Sequence, residues 1–163
     1  MISAKLDRIN RDILIYLQRD TRAPIAAIAD SVGISTSACQ KRIRQLEREQ
    51  VISNYAANLD LNRISPTVTF LCEFSLQEHN AYSFRKFEDA IRREATLIEC
   101  YQVSGGRDYF ARFVCANVED FKVITDRLLA NSPIGSIKSH CILSKVKRFT
   151  GYPLNYLLPD QPD

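Results

Sequence analysis

The chain has only two histidines, His79 and His140, in 163 residues, and its five cysteines (39, 72, 100, 115 and 141) are widely spaced with no CxxC pair. So little imidazole argues against an elaborate metal or imidazole-based site. An odd set of scattered thiols argues against a disulfide framework or a zinc site and for reduced, mostly buried cysteines. No apolar run approaches the roughly 18 to 20 residues that span a bilayer. The opening MISAKLDRINRD is charged and lacks the apolar core of a secretory signal, so the chain is expected to be soluble and cytoplasmic. No internal repeat, low-complexity segment or acid–base cluster is visible. These absences leave no cofactor or metal to expect and weigh against an enzyme.

What is present is an uneven charge. The net charge is +3, and residues 1–63 hold 10 Lys+Arg against 7 Asp+Glu while residues 64–163 hold 12 against 12. All the excess positive charge sits in the N-terminal third, where salt-dependent attraction to phosphates therefore belongs.

That third has a helical period. Leu6, Ile9, Ile13, Leu14 and Leu17 share one face of a first helix over about 6–18. Pro24 suits the first turn of a second helix, which offers Ile25, Ile28 and Val32 to a core. Gly33 supplies the freedom for a sharp turn, and Ser35 is a plausible N-cap for a third helix whose buried stripe is Cys39, Ile43 and Leu46. This is the layout of a helix-turn-helix, whose second helix enters the DNA major groove. Ser35, Thr36, Ser37, Gln40, Lys41 and Arg44, in its first turns, are the candidates for base edges or nearby phosphates. Arg48, further along, is a candidate for the backbone. Arg42 borders the buried stripe and either braces the fold or joins them. Cys39 lies on the stripe and reads as a buried, inert thiol, as do the other cysteines. His79 reads as loop surface.

Residues 51–63, VISNYAANLDLNR, read as a short extended segment or wing followed by a linker, with the boundary between Asn62 and Pro66. Beyond it the period changes to two. In TVTFLCEFSLQ, Val68, Phe70, Cys72, Phe74 and Leu76 share a face. Asn80 can cap a helix presenting Phe84, Phe87 and Ile91. Residues 97–103 and 109–116 form a hairpin around Ser104–Asp108. Asn117 can cap a helix with Phe121, Ile124, Leu128 and Leu129 inward, and 136–147 make a last strand. The order β-α-β-β-α-β is the ferredoxin-like arrangement, so the fold class is α+β: a three-helix winged helix-turn-helix domain followed by a ferredoxin-like domain. The expected domains are 1–50, the 51–63 wing or linker strand, 64–150, and a 151–163 tail. In that tail Tyr152, Leu154, Tyr156, Leu157 and Leu158 are too apolar to stay exposed, and the closing PDQPD is expected to fray.

LDRINRDIL at 6–14, VGIS…C…RIRQLE from Val32 to Glu47, VISNYAANLD at 51–60 and ECYQVSGGRDYF at 99–110 together resemble the Lrp/AsnC (feast/famine) family of transcriptional regulators. The resemblance covers nearly the whole chain. It implies a DNA-binding domain and a C-terminal domain that both dimerises and senses an amino acid or related metabolite, with dimers building tetramers or octamers. It places the effector near Ser104, Gly105, Gly106, Arg107 and Asp108, with Tyr101 and Ser139 as further candidates. The chain departs from the family pattern at Gly106 and Arg107, where an acidic residue or Asn and then an aromatic residue or His are common. It also has Ile137-Lys138-Ser139 in place of a Thr-x-Thr. Arg107 either pairs with an effector carboxylate or is a solvated loop residue. Asp108 anchors either a ligand amine or the loop's own amides. Two alternatives stand beside a ligand-responsive regulator: an architectural DNA-binding protein without an effector and, more remotely, an enzyme resembling the sirohaem decarboxylases, whose histidine- and arginine-bearing sequence between the central strands this chain lacks.

Overall fold

The computed structural model of the chain describes residues 6–158. They divide into two compact units. One runs to Asn58 and includes the segment from Lys147 onward; the other spans Leu59–Val146.

In the first unit, α1 (Arg8–Arg19), α2 (Ile25–Val32) and α3 (Thr36–Arg48) pack about Ile13, Leu17, Ile28, Ala29, Cys39, Ile43 and Leu46. Local chemistry sets the helix ends. Asp7 Oδ1 accepts the Asn10 N–H at 2.8 Å and Ser35 Oγ accepts the Ala38 N–H at 3.2 Å, each satisfying an orphan donor of a first turn. Pro24 takes the N-cap of α2. Gly33 closes α2 at φ 71°, the left-handed conformation that lets the chain reverse into α3.

Residues 51–60 carry no regular element, and a one-turn 3-10 helix, Leu61–Arg63, follows. The strand expected over 51–63 is therefore not formed, because the four strands of the sheet pair only with one another. Tyr55 instead donates its hydroxyl to Glu47 Oε1 at 2.8 Å. The C-terminal segment ends in a single turn, α6 (Leu154–Leu157), against α1. Leu154 and Leu158 are half-buried there, but Tyr152, Tyr156 and Leu157 remain exposed, since one turn presents only one side to α1. The PDQPD end lies outside the described residues.

The second unit runs β1 (Val68–Leu76), α4 (Ala81–Arg92), β2 (Leu97–Gln102), β3 (Tyr109–Cys115), α5 (Val118–Asn131), β4 (Ile134–Cys141). The sheet order is β2-β3-β1-β4 with every pair antiparallel. Alternation sends Phe70, Cys72, Phe74 and Leu76 of β1, with Tyr109, Ala111, Phe113 and Cys115 of β3, against Phe87 and Ile91 of α4 and Phe121, Ile124 and Leu128 of α5. Phe70 stacks on Phe121 at 3.8 Å, and Phe87 lies 4.4 Å from Tyr109. Leu129, expected inward, is exposed: Phe121, Ile124 and Leu128 already occupy the buried stripe of α5. The last strand ends at Cys141 rather than 147: Ile142 N–H still donates to the Thr69 carbonyl at 2.9 Å, but β1 begins at Val68 and offers no further ladder.

Candidate nucleic-acid interface and effector loop

The α3 helix sorts its side chains by the period of about 3.6 residues per turn. Cys39, Ile43 and Leu46 are buried, while Thr36, Ser37, Gln40, Lys41, Arg44 and Arg48 are exposed. Ser35 is committed to capping, with its hydroxyl also 3.2 Å from that of Ser37. The cations divide into two kinds. Arg42 Nη1 donates to Asp7 Oδ2 at 2.7 Å and to Asn10 Oδ1 at 3.0 Å, tying α3 to the start of α1. Burial pushes the Asp7 carboxyl up, but the Asn10 amide and the Arg42 guanidinium outweigh it and hold it below the usual carboxylate range. Among the described residues, Lys41, Arg44 and Arg48 have no carboxylate partner. Arg42 is a brace, and the other three cations are free to meet an anion.

The Gly-rich loop is closed by Val103 N–H donating to the Asp108 carbonyl at 3.0 Å, with Gly105 at φ 111°. Ser104, Gly105 and Gly106 are exposed. Arg107 is not a free loop residue: its Nε donates to Glu73 Oε2 at 3.1 Å and its Nη1 to Ser75 Oγ at 3.1 Å. Glu73 also receives His140 Nε2 at 3.1 Å. The hydrogen bond from His140 lowers the Glu73 carboxyl against the opposing effect of burial, and Arg107 and Lys138 lower it further. Asp108 anchors backbone, but not the amides of its own loop: its Oδ2 accepts the Leu76 N–H at 2.8 Å, and its Oδ1 lies 2.9 Å from His79 Nε2. His79 is thus exposed but partnered.

Strand register separates the remaining expected effector residues. Tyr101, opposite Phe110, stands exposed beside β3. Ser139 is paired with Cys72, whose thiol lies in the helix-covered core and donates to Ser139 Oγ at 3.6 Å. Glu73 and Arg107 therefore occupy the opposite side of the sheet from Ser139. Sequence reading did not single out Glu73. Its signal was that it is the one carboxylate in the otherwise uncharged TVTFLCEFSLQ.

The thiols do not all share one environment. Cys39, Cys72 and Cys115 are buried and Cys100 is half-buried, but Cys141 is exposed, at the end of the edge strand β4 where no further strand covers it. Burial pushes the Cys72 and Cys100 thiols up to about 11, where almost no thiolate forms near neutrality. Among the described residues no group of His, Cys, Asp and Glu is arranged to hold a metal ion, and no helix is long and apolar enough to cross a membrane.

Residues 6–47 match the AsnC-type helix-turn-helix domain, and residues 69–152, more than half of the chain, match the Lrp/AsnC ligand binding domain. The chain belongs to the Lrp/AsnC family. It is similar to the transcriptional regulatory protein DoeX of Halomonas elongata, 31% identical over 145 residues that cover 88% of this chain and 92% of that one. It is also similar to the leucine-responsive regulatory protein of Escherichia coli, 28% identical over 88% of each chain. Among solved structures, an AsnC family transcriptional regulator from Agrobacterium tumefaciens superposes with a TM-score of 0.86 at 30% identity, over 93% of this chain and 99% of that one. A Neisseria meningitidis transcriptional regulator in complex with L-Met gives 0.88 at 25% identity, over 94% and 99%. The chain is therefore a transcriptional regulator with a DNA-binding helix-turn-helix and a ligand-binding domain.

Proposed function

We propose that this Lrp/AsnC protein reads double-stranded DNA with the exposed side of α3, through Thr36, Ser37, Gln40, Lys41, Arg44 and Arg48, in the cytoplasm and without a catalytic step. One observation carries the reading: α3 commits Arg42 to bracing the fold and leaves Lys41, Arg44 and Arg48 exposed and unpaired. Unpaired cations beside short polar side chains on a groove-sized helix suit phosphates and base edges. Lys41→Ala and Arg44→Ala are expected to weaken binding in a mobility-shift assay while leaving the assembly state unchanged. Unaltered affinity in both variants would sink the assignment.

The second half of the proposal is an amino acid or related small metabolite as effector, at the ligand-binding domain near Ser104–Asp108. Support comes from the matched ligand-binding domain and from the L-Met complex of the Neisseria regulator. The effector would act by favouring one assembly of a homodimer, tetramer or octamer over another through unequal affinity for the two. A specific observation favours an effector-free architectural role as a second reading: Arg107, the cation of the loop, already has Glu73 as its partner. A thermal-shift screen of amino acids and organic acids separates them. A millimolar hit whose shift disappears in Arg107→Ala supports sensing, and no hit supports the architectural role.

A further inference from the structure

A cleft of about 740 Å3 lies wholly within the first unit, between α1 and the returning C-terminal segment. Its lining includes three cations, Arg19, Lys147 and Arg148, and no carboxylate. All three are exposed, and among the described residues none has an ion-pair partner. The segment is held in place by its backbone. Gln18 Oε1 accepts the Tyr152 N–H at 2.5 Å, Gln18 Nε2 donates to the Tyr152 carbonyl at 3.3 Å, and the buried Arg11 donates to the Leu158 carbonyl at 3.0 Å. Gly151, at φ 116°, lies so close that a Cβ there would meet Gln18 at 2.9 Å.

We propose that Lys147 and Arg148, strapped beside Arg19, are a second set of DNA-backbone contacts outside the helix-turn-helix. The inference rests on the DNA-binding reading above. Charge complementarity supports it: Lys147 and Arg148 are the only charged side chains from residue 147 to residue 158, so the described part of the returning segment brings two cations and no carboxylate to the end of α1. Position supports it too. Arg19 ends α1 five residues before Pro24, the cap of α2, and in a helix-turn-helix the helix preceding the reader crosses the phosphate backbone. The end of α1 and the strap bound to it thus adjoin, through the loop 20–23, the start of the helix that takes that crossing position. These contacts carry no sequence information, so they add affinity to every duplex alike.

The test uses the full-length protein, a duplex selected by it from a random-sequence pool, and an unrelated duplex, with fluorescence anisotropy at several salt concentrations. Lys147→Gln/Arg148→Gln is expected to weaken both duplexes by a similar factor, about tenfold, and to flatten the slope of log affinity against log salt by about 0.9 for each phosphate no longer neutralised. Gly151→Ala, which disturbs the strap without touching a charge, is expected to weaken both duplexes in the same direction. Arg85→Gln/Lys86→Gln on α4 is expected to leave both unchanged. An unchanged slope in the strap variant, while Lys41→Ala still weakens binding, overturns this inference and leaves the α3 reading standing. An equal loss in the α4 control overturns it as general charge. So does a thermal shift with inorganic phosphate that the strap variant abolishes without any change in DNA affinity, which would assign the cleft to a free anion.

Discussion

Arg42 and Arg44 sit two positions apart on α3 and have opposite consequences. Arg42→Ala removes the tie to Asp7 and Asn10 and is expected to destabilise the first unit by about 1 kcal/mol, since the pair is partly exposed. Chemical denaturation reads that loss. Arg44→Ala leaves the melting transition in place and is expected to lower DNA affinity about tenfold. Spacing could show that Arg42 borders the buried stripe, but not that Asp7, thirty-five residues earlier, would receive it. Glu73 makes a second residue-scale prediction. Its folded carboxyl is held below its ordinary value, so the stability it contributes is present above that value, near pH 4.5, and is lost as the pH falls through the lowered one. Denaturation between about pH 7 and pH 3 should show a shallower acid loss in Glu73→Gln than in the parent chain.

Helix ends and strand ladders carry the element-scale arguments. Gln50, just past the end of α3, holds φ 57°, a left-handed conformation that suits glycine. Gln50→Gly is expected to stabilise the first unit by about 0.5 kcal/mol, while Gly33→Ala, at φ 71°, is expected to cost about 1 kcal/mol. A pair of melting curves moving in opposite directions checks both. The helices were legible because caps and apolar stripes are local: Ser35, Asn80 and Asn117 all accept the expected first-turn amide, and Asp7, not read as a cap, does the same one residue inside the expected start of α1. The wing and the end of the last strand were not legible. A strand exists only where a partner supplies its ladder, and neither residues 51–60 nor residues 143–147 have one.

On the scale of the whole molecule, the sheet has one face under α4 and α5 and another that leaves Leu71 and Tyr101 exposed around Glu73 and Arg112. If the proposed homodimer buries that face, Leu71→Glu is expected to reduce the assembly to smaller species in light scattering, with the melting of the first unit unaffected. An unchanged mass would remove this face from the interface. The sequence by itself determined the α+β class, the helix-turn-helix, the family and the basic face of α3, because periodicity, caps and charge are written within a few turns of one another. Only tertiary structure decided that Arg107 is already partnered by Glu73, that Ser139 faces away from it, and that Lys147 and Arg148 belong to the same unit as α3. Those facts depend on strand register and on a contact between residues more than 130 positions apart, to which local pattern is blind. The helix-turn-helix thus announces itself in sequence, while the extra cations beside it appear only once the C-terminal segment returns to α1.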